Sequence, residues 1–257
     1  MEAYTDFAAV YDRFMDNVPY EEWYTRICEI LKEQGIREGL VLELGCGTGT
    51  MTELLSKAGY DMIGVDNSPE MLELALIKKE QNESNSLYLL QDMREFELYG
   101  TVSAIISVCD SMNYLTSTDD FKQVLKLVEN YLDYDGIFLF DLNSVYKYRE
   151  LLADEVFAEN REDCSFIWEN MFDEDSMLNE YALTLFVKEK EEQYHKYEEF
   201  HYQRAYELQD VKKMLKEAGL IFLTAFDGYS PNVVNEYSDR IVVVCKKISN
   251  PEEESGV

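Results

Sequence analysis

The sequence predicts an α/β protein: a doubly wound, mostly parallel seven-stranded sheet with helices on both faces and a small antiparallel β insertion. Three observations carry this. Short apolar runs alternate with amphipathic stretches of about 10–15 residues, the pattern of βαβ units. A glycine-rich turn stands directly between the first apolar run and the helix after it. Between residues 151 and 206 the rhythm changes to two-residue alternation, and from 207 the first rhythm returns.

In "VPYEEWYTRICEILKEQG", Trp23, Ile27, Ile30 and Leu31 recur at helical spacing, with Pro19 at the start and Gly35 at the end. "LVLEL" (40–44) is a short apolar strand, "TMTELLSKAGY" a helix closed by Gly59, and "DMIGVD" (61–66) the next strand. "SPEMLELALIKKE" carries a Ser68 cap, Pro69 at the first helical position and Glu70 in the first turn. Strands follow at 86–90 and 102–108, then the helix "TDDFKQVLKLVENYL" and a fifth strand at 136–142. In the insertion, "YALTLFV" and "YEEFHYQRAY" alternate, with turns at "DEDS" and "KEKEEQ", so three or four antiparallel strands are expected. "LQDVKKMLKEAG" is the last helix, and "LIFLTAF" and "RIVVVCKK" are the last two strands. The expected organisation is a helical lid over 1–35, a core over 36–150 and 207–248, an insertion over 151–206 above the acceptor side, and a disordered tail over 249–257.

Composition narrows the function. Twenty-three basic residues against 52 acidic ones give a net charge of −29. Such a field repels phosphate backbones and anionic lipid, and argues against a nucleic-acid or membrane partner. The five cysteines form no CxxC pair and there are only two histidines, so no metal site is expected. The opening "MEAYTDFAAVYDRF" has no basic n-region, and no apolar run nears the roughly 18 residues of a membrane span. A cytoplasmic, reducing setting is expected.

The turn "ELGCGTG" places Gly45, Gly47 and Gly49 between a buried strand and a helix. Glycine lets the backbone turn sharply and approach a ligand, and the helix start offers unpaired N–H groups. Asp66 ends the second strand, seventeen residues after Gly49, where a carboxylate can accept from both ribose hydroxyls. Strand, glycine turn, helix, strand and acid, in that order, predict a nucleoside-bearing cofactor. The dinucleotide pattern G-x-G-x-x-G is not met, because position 50 is threonine.

"ELGCGTG", "GVDNSPEML", "LLQDMREF" and "IISVCDSMNYL" together resemble the motifs of class I S-adenosylmethionine-dependent methyltransferases, over about 40–145 and the returning 208–247 segment. The resemblance implies the Rossmann-like fold of that family and S-adenosyl-L-methionine as cofactor. It further implies that Glu43, Gly45, Cys46, Gly47, Thr48 and Gly49 wrap the amino-acid end. Asp66 would bind the ribose, with Asn67 and Ser68 on the same side. Asp92 would contact the adenine amino group, and Met71 and Met93 would wall the ring. Cys109 stands close to the cofactor, as a ligand contact or a small core residue. "FAAVYDRFMDNVPYEEW" is similar to a lid of small-molecule members, in which Tyr11, or Tyr4, closes over the cofactor or merely packs a helix. A sulfonium methyl is already activated, so the chemistry demands placement and water exclusion rather than a triad or a metal.

On the acceptor side, Asp110, Asn113 and Tyr114 follow strand four as candidate acceptor contacts, with helix capping the alternative for Asp110 and Asn113. Asp141 and Asn143 end strand five in "DLNS", not the N/D-P-P-Y of members that methylate bases or protein amides. On the insertion, alternation puts His201 and Gln203 on one face and Tyr202 and Arg204 on the other. His201 is the candidate general base, against a packed or surface histidine, and Arg204 a candidate acceptor contact. The expected function is methyl transfer to an N or O atom of a small molecule. The alternatives are an RNA or protein methyltransferase, an NAD-dependent oxidoreductase, and a cofactor-binding module without turnover. The aromatic hairpins also offer a homodimer face.

Overall fold

The computed structural model describes residues 11, 12, 14–190 and 193–248; Tyr4 and the 249–257 tail lie outside them. The strands in chain order are β1 (Leu40–Leu44), β2 (Asp61–Asp66), β3 (Leu87–Leu90), β4 (Val102–Ser107) and β5 (Leu132–Asn143). Then come β6 (Val156–Asn160), β7 (Cys164–Asp173), β8 (Leu178–Lys190) and β9 (Gln193–Arg204), and finally β10 (Leu220–Asp227) and β11 (Arg240–Lys247). The helices are α1 (Tyr20–Glu33), α2 (Thr50–Lys57), α3 (Pro69–Asn82), α4 (Thr118–Tyr131) and α5 (Leu208–Glu217).

The first sheet has seven strands in the order β10-β11-β5-β4-β1-β2-β3. β3, β2, β1, β4 and β5 pair in parallel, while β11 runs antiparallel to both β5 and β10. Both faces are covered, which is why its strands read as unbroken apolar runs. On one face Leu42, Leu44, Ile105 and Phe138 meet Phe121, Val124, Leu125 and Val128 of α4 and Val211, Met214 and Leu215 of α5. On the other, Val41, Ala104, Ile106 and Leu139 meet Ile27, Ile30 and Leu31 of α1 and Met51 and Leu55 of α2. The α1 residues are therefore core, although the helix lies in the segment expected as a lid. Ser68 caps α3 by accepting the Met71 N–H at 3.2 Å, and Ser117 caps α4 by accepting that of Asp120 at 3.1 Å.

β6 to β9 form a separate four-stranded antiparallel sheet in sequence order. Its inner face buries Asn170, Asn179, Tyr181, Glu199, His201 and Gln203, while Ile167, Met171, Phe200 and Tyr202 point outward. Phe166, Trp168 and Phe172 pack inside this unit, against Phe14, Tyr181 and Tyr148 respectively.

Two local features differ from the sequence expectation. β5 starts at Leu132, four residues early, and bends through Asp135 (φ 65°) and Gly136. A Cβ on Gly136 would stand 2.7 Å from the Asp133 carbonyl oxygen, so glycine alone fits there. A π-helical turn at Lys147–Leu152, with no signal in the apolar periodicity, inserts Tyr148 and Leu152 under the second sheet beside Tyr181 and Ala205.

Gly64 of β2 lies against the ring of Tyr88, its register partner on β3; an added Cβ would meet that ring at 2.8 Å and Cys46 Sγ at 2.9 Å. Gly64→Ala is expected to cost about 1–3 kcal/mol through overpacking. A lower urea midpoint with an unchanged slope is the reading that checks it.

Candidate active site

A cavity of about 550 Å³ opens at the carboxyl ends of β1, β2, β3 and β4. In the strand order, β1 and β4 are neighbours from which the chain winds in opposite directions, the place where open α/β sheets leave a crevice. The wall takes Glu43 and residues 45–48 from β1 and its turn, residues 65–71 from β2, 91–94 after β3, and Cys109, Ser111, Tyr114 and Leu115 after β4. Tyr11 and Tyr20 close it from the N-terminal side.

The glycine turn is shaped by conformation. Gly45, Gly47 and Gly49 have φ of 71°, 52° and 76°, a region costly for other residues. A Cβ on Gly47 would enter open space, while one on Gly45 would strike Ser111. The three are not equivalent. Gly49 does not line the cavity: it packs against Ala75 and Tyr88 on the far side of the turn, so its role is close packing at the start of α2. Asp66 braces the turn by accepting the Gly47 N–H at 2.8 Å and the Ser68 N–H at 2.9 Å. The Thr48 hydroxyl donates to Asp12 at 2.7 Å, and Lys78 bridges Thr48, Thr50 and Asp12, so Asp12 is fastened to the turn.

The charged groups on the wall are Glu43, Asp66, Glu70 and Asp92 against one cation, Arg94. Arg94 already holds Asp92, with Nε 2.9 Å from Oδ1 and a second contact to Oδ2, and these bonds hold that carboxyl below the usual carboxylate range. Glu43 is buried and accepts from the Thr52 hydroxyl; burial, only partly offset by that bond, pushes its carboxyl up to about 8. Burial also raises Asp66, against the lowering effect of the Ser68 and Gly47 N–H groups. Such a wall suits a ligand with hydroxyl groups and positive charge, and disfavours a pyrophosphate. Asn67, Met71 and Met93 complete it, with Met71 buried.

After β4 the chain passes through two left-handed residues, Cys109 (φ 56°) and Asp110 (φ 53°). The Asp141 carboxylate holds this bend. It accepts the N–H groups of Cys109 at 3.1 Å and Asp110 at 2.6 Å, the Tyr229 hydroxyl at 2.6 Å, and Arg240 at 2.8 Å. Arg240 also reaches Asp110 at 2.7 Å and lies over the Trp23 ring. Cys109 Sγ faces the Tyr20 hydroxyl at 3.4 Å, and burial, then Asp141, push the thiol up, so it is a neutral packing and donor group rather than a nucleophile.

Three of the expected acceptor contacts turn away from the cavity. Asp110 pairs with Arg240 and accepts from Gln203 at 2.7 Å. Asn113 is fully buried: it accepts the Asn143 N–H at 2.9 Å and donates to the carbonyl oxygens of Asn143 and Arg204 at 3.3 and 2.8 Å. Arg204 donates to the Thr116 carbonyl at 3.3 Å and lies near the Tyr206 ring. These three fasten β9 to the bend because each polar group finds a protein partner. Tyr114 does line the cavity, and its hydroxyl is 3.2 Å from Nδ1 of His201, which is buried just behind it. Sequence reasoning missed Tyr20, Glu70, Gln91, Arg94, Ser111 and Leu115 on the wall. Arg94, two residues from Asp92, was the one with a legible signal. Among the described residues no cluster of His, Cys, Asp and Glu could hold a metal, and no helix is long and apolar enough to cross a membrane.

The profile of the methyltransferase domain matches residues 41–136. A protein of Geobacillus sp. (strain WCH70), named as a methyltransferase, is 33% identical over 246 residues, 95% of this chain and 99% of that one. The crystal structure of an S-adenosylmethionine-dependent methyltransferase from Clostridium acetobutylicum ATCC 824 superposes with a TM-score of 0.87 at 32% identity, covering 96% of this chain and 100% of that one. The sugar N-methyltransferase KedS8 from Streptoalloteichus sp. ATCC 53650 shares the fold, with a TM-score of 0.76 at 16% identity and 93% of each chain covered.

Asp141→Ala strips the bend of its acceptor and leaves Arg240 with one carboxylate fewer. The expected loss is about 3 kcal/mol or more, as for a broken buried ion pair, read from urea unfolding.

Proposed function

The chain belongs to the class I S-adenosylmethionine-dependent methyltransferases, and we propose that it moves the methyl group to a nitrogen or oxygen atom of a small-molecule acceptor. The observation that carries this reading is the acid-rich wall. Glu43, Asp66 and Asp92 line one cavity with a glycine turn, and its single cation is engaged with Asp92. A sulfonium ligand with an ammonium group and a ribose fits that donor set; NAD, with two phosphates, does not.

Bound here, S-adenosylmethionine supplies a methyl group already activated by positive sulfur. The chain's own residues then hold and exclude. Gly45 to Thr48 let the backbone approach the amino-acid end, and Glu43 offers its carboxylate to the ammonium group. Asp66, whose carboxylate already orders the turn, has lone pairs left for ribose hydroxyls. Asp92 and the Met71 and Met93 side chains take the adenine end, with Asn67 and Ser68 beside them. Tyr11, Tyr20, Cys109 and Tyr114 wall the opposite end, where an acceptor has to lie in line with the breaking bond and out of water. A small acceptor is supported by the closure of that end by Tyr11 and Tyr20, by the −29 charge, which repels nucleic acid, and by the sugar-methylating protein of the same fold.

Asp66→Ala should weaken S-adenosylhomocysteine by about 1.5–3 kcal/mol for each charge-assisted bond lost. A thermal shift beside NAD reads it, and an undiminished shift in the variant would remove Asp66 from the ribose site.

Glu43 gives a signed pH effect. Its carboxyl in the free protein is raised to about 8, above its unfolded value. Its protonated form therefore stabilises the free protein below the unfolded value, and that contribution is lost as pH rises towards 8. A cationic ligand favours the ionised form, so S-adenosylmethionine should bind roughly tenfold tighter at pH 8.5 than at pH 6.5 through this group, releasing a proton on binding. Calorimetry in buffers of different ionisation enthalpy measures this, and Glu43→Gln should abolish that portion of the proton release.

A further inference from the structure

Behind the cavity wall, β9 carries two buried ionisable side chains that the cofactor reading leaves unused. His201 is 4% exposed and Glu199 5%. Nε2 of His201 is 3.1 Å from Oε2 of Glu199, and Nδ1 is 3.2 Å from the hydroxyl of Tyr114. Tyr114 is the member of the three that lines the cavity, at the end where the acceptor has to lie. The Tyr114 and His201 rings meet edge to face, with centroids 5.9 Å apart.

The alignment is built in, because Asn113 locks it. Its amide ties the turn bearing Tyr114 to the Arg204 carbonyl of β9 and to the backbone of Asn143. Two residues along β9 from His201, Gln203 donates to Asp110 and accepts from the hydroxyls of Tyr148 and Tyr181. The buried face of β9 is thus Glu199, His201 and Gln203 in succession. Gln203 serves the framework, whereas the other two lead to the cavity through Tyr114.

We propose that Tyr114, His201 and Glu199 form a proton relay that takes the acceptor's proton during methyl transfer. This rests on the methyltransferase reading above. An amine or hydroxyl that gains a methyl cation equivalent carries one extra positive charge, which it discharges by losing a proton. The acceptor's N–H or O–H bond breaks towards the phenolic oxygen of Tyr114 as the Tyr114 O–H bond breaks towards Nδ1 of His201. The proton count closes with tyrosine neutral, histidine cationic, and the acceptor's pair of electrons left on its methylated atom. Glu199, accepting from Nε2–H, orients the ring with the Nδ1 lone pair towards the Tyr114 hydroxyl and opposes the new charge. Tyr114 is the catalytic residue; His201 and Glu199 act through it as positioning residues. Titratable groups facing the imidazole include Tyr114, Glu199 and Tyr181, the last being its register partner on β8.

The arrangement demands one tautomer, which can be read without knowing the acceptor. The chain has two histidines, and His195 is exposed, so His195→Gln assigns the spectrum. In ¹⁵N-histidine-labelled protein, neutral His201 should carry its proton on Nε2, and its Nδ1 resonance should move in Tyr114→Phe. A proton on Nδ1, or an Nδ1 signal indifferent to Tyr114→Phe, overturns the relay. Methyl transfer from radiolabelled S-adenosylmethionine to primary amines, amino sugars and hydroxylated acids is the second measurement. With any substrate found, Tyr114→Phe should lower kcat about 10²- to 10⁴-fold, with the S-adenosylhomocysteine thermal shift retained. Glu199→Gln should move the acid limb of the kcat profile, which a merely structural loss would leave in place. Full kcat in Tyr114→Phe also overturns the relay. Absence of any S-adenosylhomocysteine shift in the parent protein would instead sink the methyltransferase reading, so the two failures remain separate.

Discussion

Asp141 is the constraint on which the site depends. A carboxylate has about four acceptor positions, and here four donors come to it from three parts of the chain: two successive N–H groups after β4, the Tyr229 hydroxyl and the Arg240 guanidinium. Its burial near the end of β5 makes each of those bonds costly to lose. Holding two non-glycine residues in the left-handed region costs about 1–3 kcal/mol each, and Asp141 supplies the compensation. The bend delivers Cys109, Ser111 and Tyr114 to the cavity.

From that bend the order spreads outward. Arg240 bonds to both carboxylates and lies over Trp23, whose ring stacks on Tyr229 with centroids 4.6 Å apart, so α1, β11 and the segment after β10 are joined at one point. Asp110 passes the connection to Gln203 and thus to the second sheet. The second sheet's buried inner face is polar because it serves this network. Tyr148, Tyr181, Asn143 and Lys147 continue it, each with a partner, as buried polar groups require.

The cavity opposes this economy of paired groups. Its wall leaves acidic groups facing a space rather than a cation, and Glu43 meets burial by holding its proton up to about 8. Excess acid concentrated at one end of a sheet favours a positive ligand in two ways, through direct contact and through the field of the whole protein. Perturbed carboxyls in a cleft mark a candidate functional site.

Much of this was legible in the residues. Apolar runs, caps and glycines determine local conformation through neighbours in sequence, so β1 to β4, the five helices and the two-residue rhythm of the insertion could be read before any contact was known. The glycine turn and Asp66 share that legibility because strand, turn and helix hold them within a short span. Asp110, Asn113 and Arg204 show where it stops. They are polar, lie near the crevice in sequence, and differ from Tyr114 only in what faces them; their partners, Arg240, Asn143 and Thr116, are up to 130 residues away. Local chemistry determined by itself the fold class and the cofactor side of the crevice. Which polar side chains meet the cavity and which fasten its walls was decided by tertiary structure alone, because a buried polar group is claimed by whichever partner the long-range packing brings within hydrogen-bond reach.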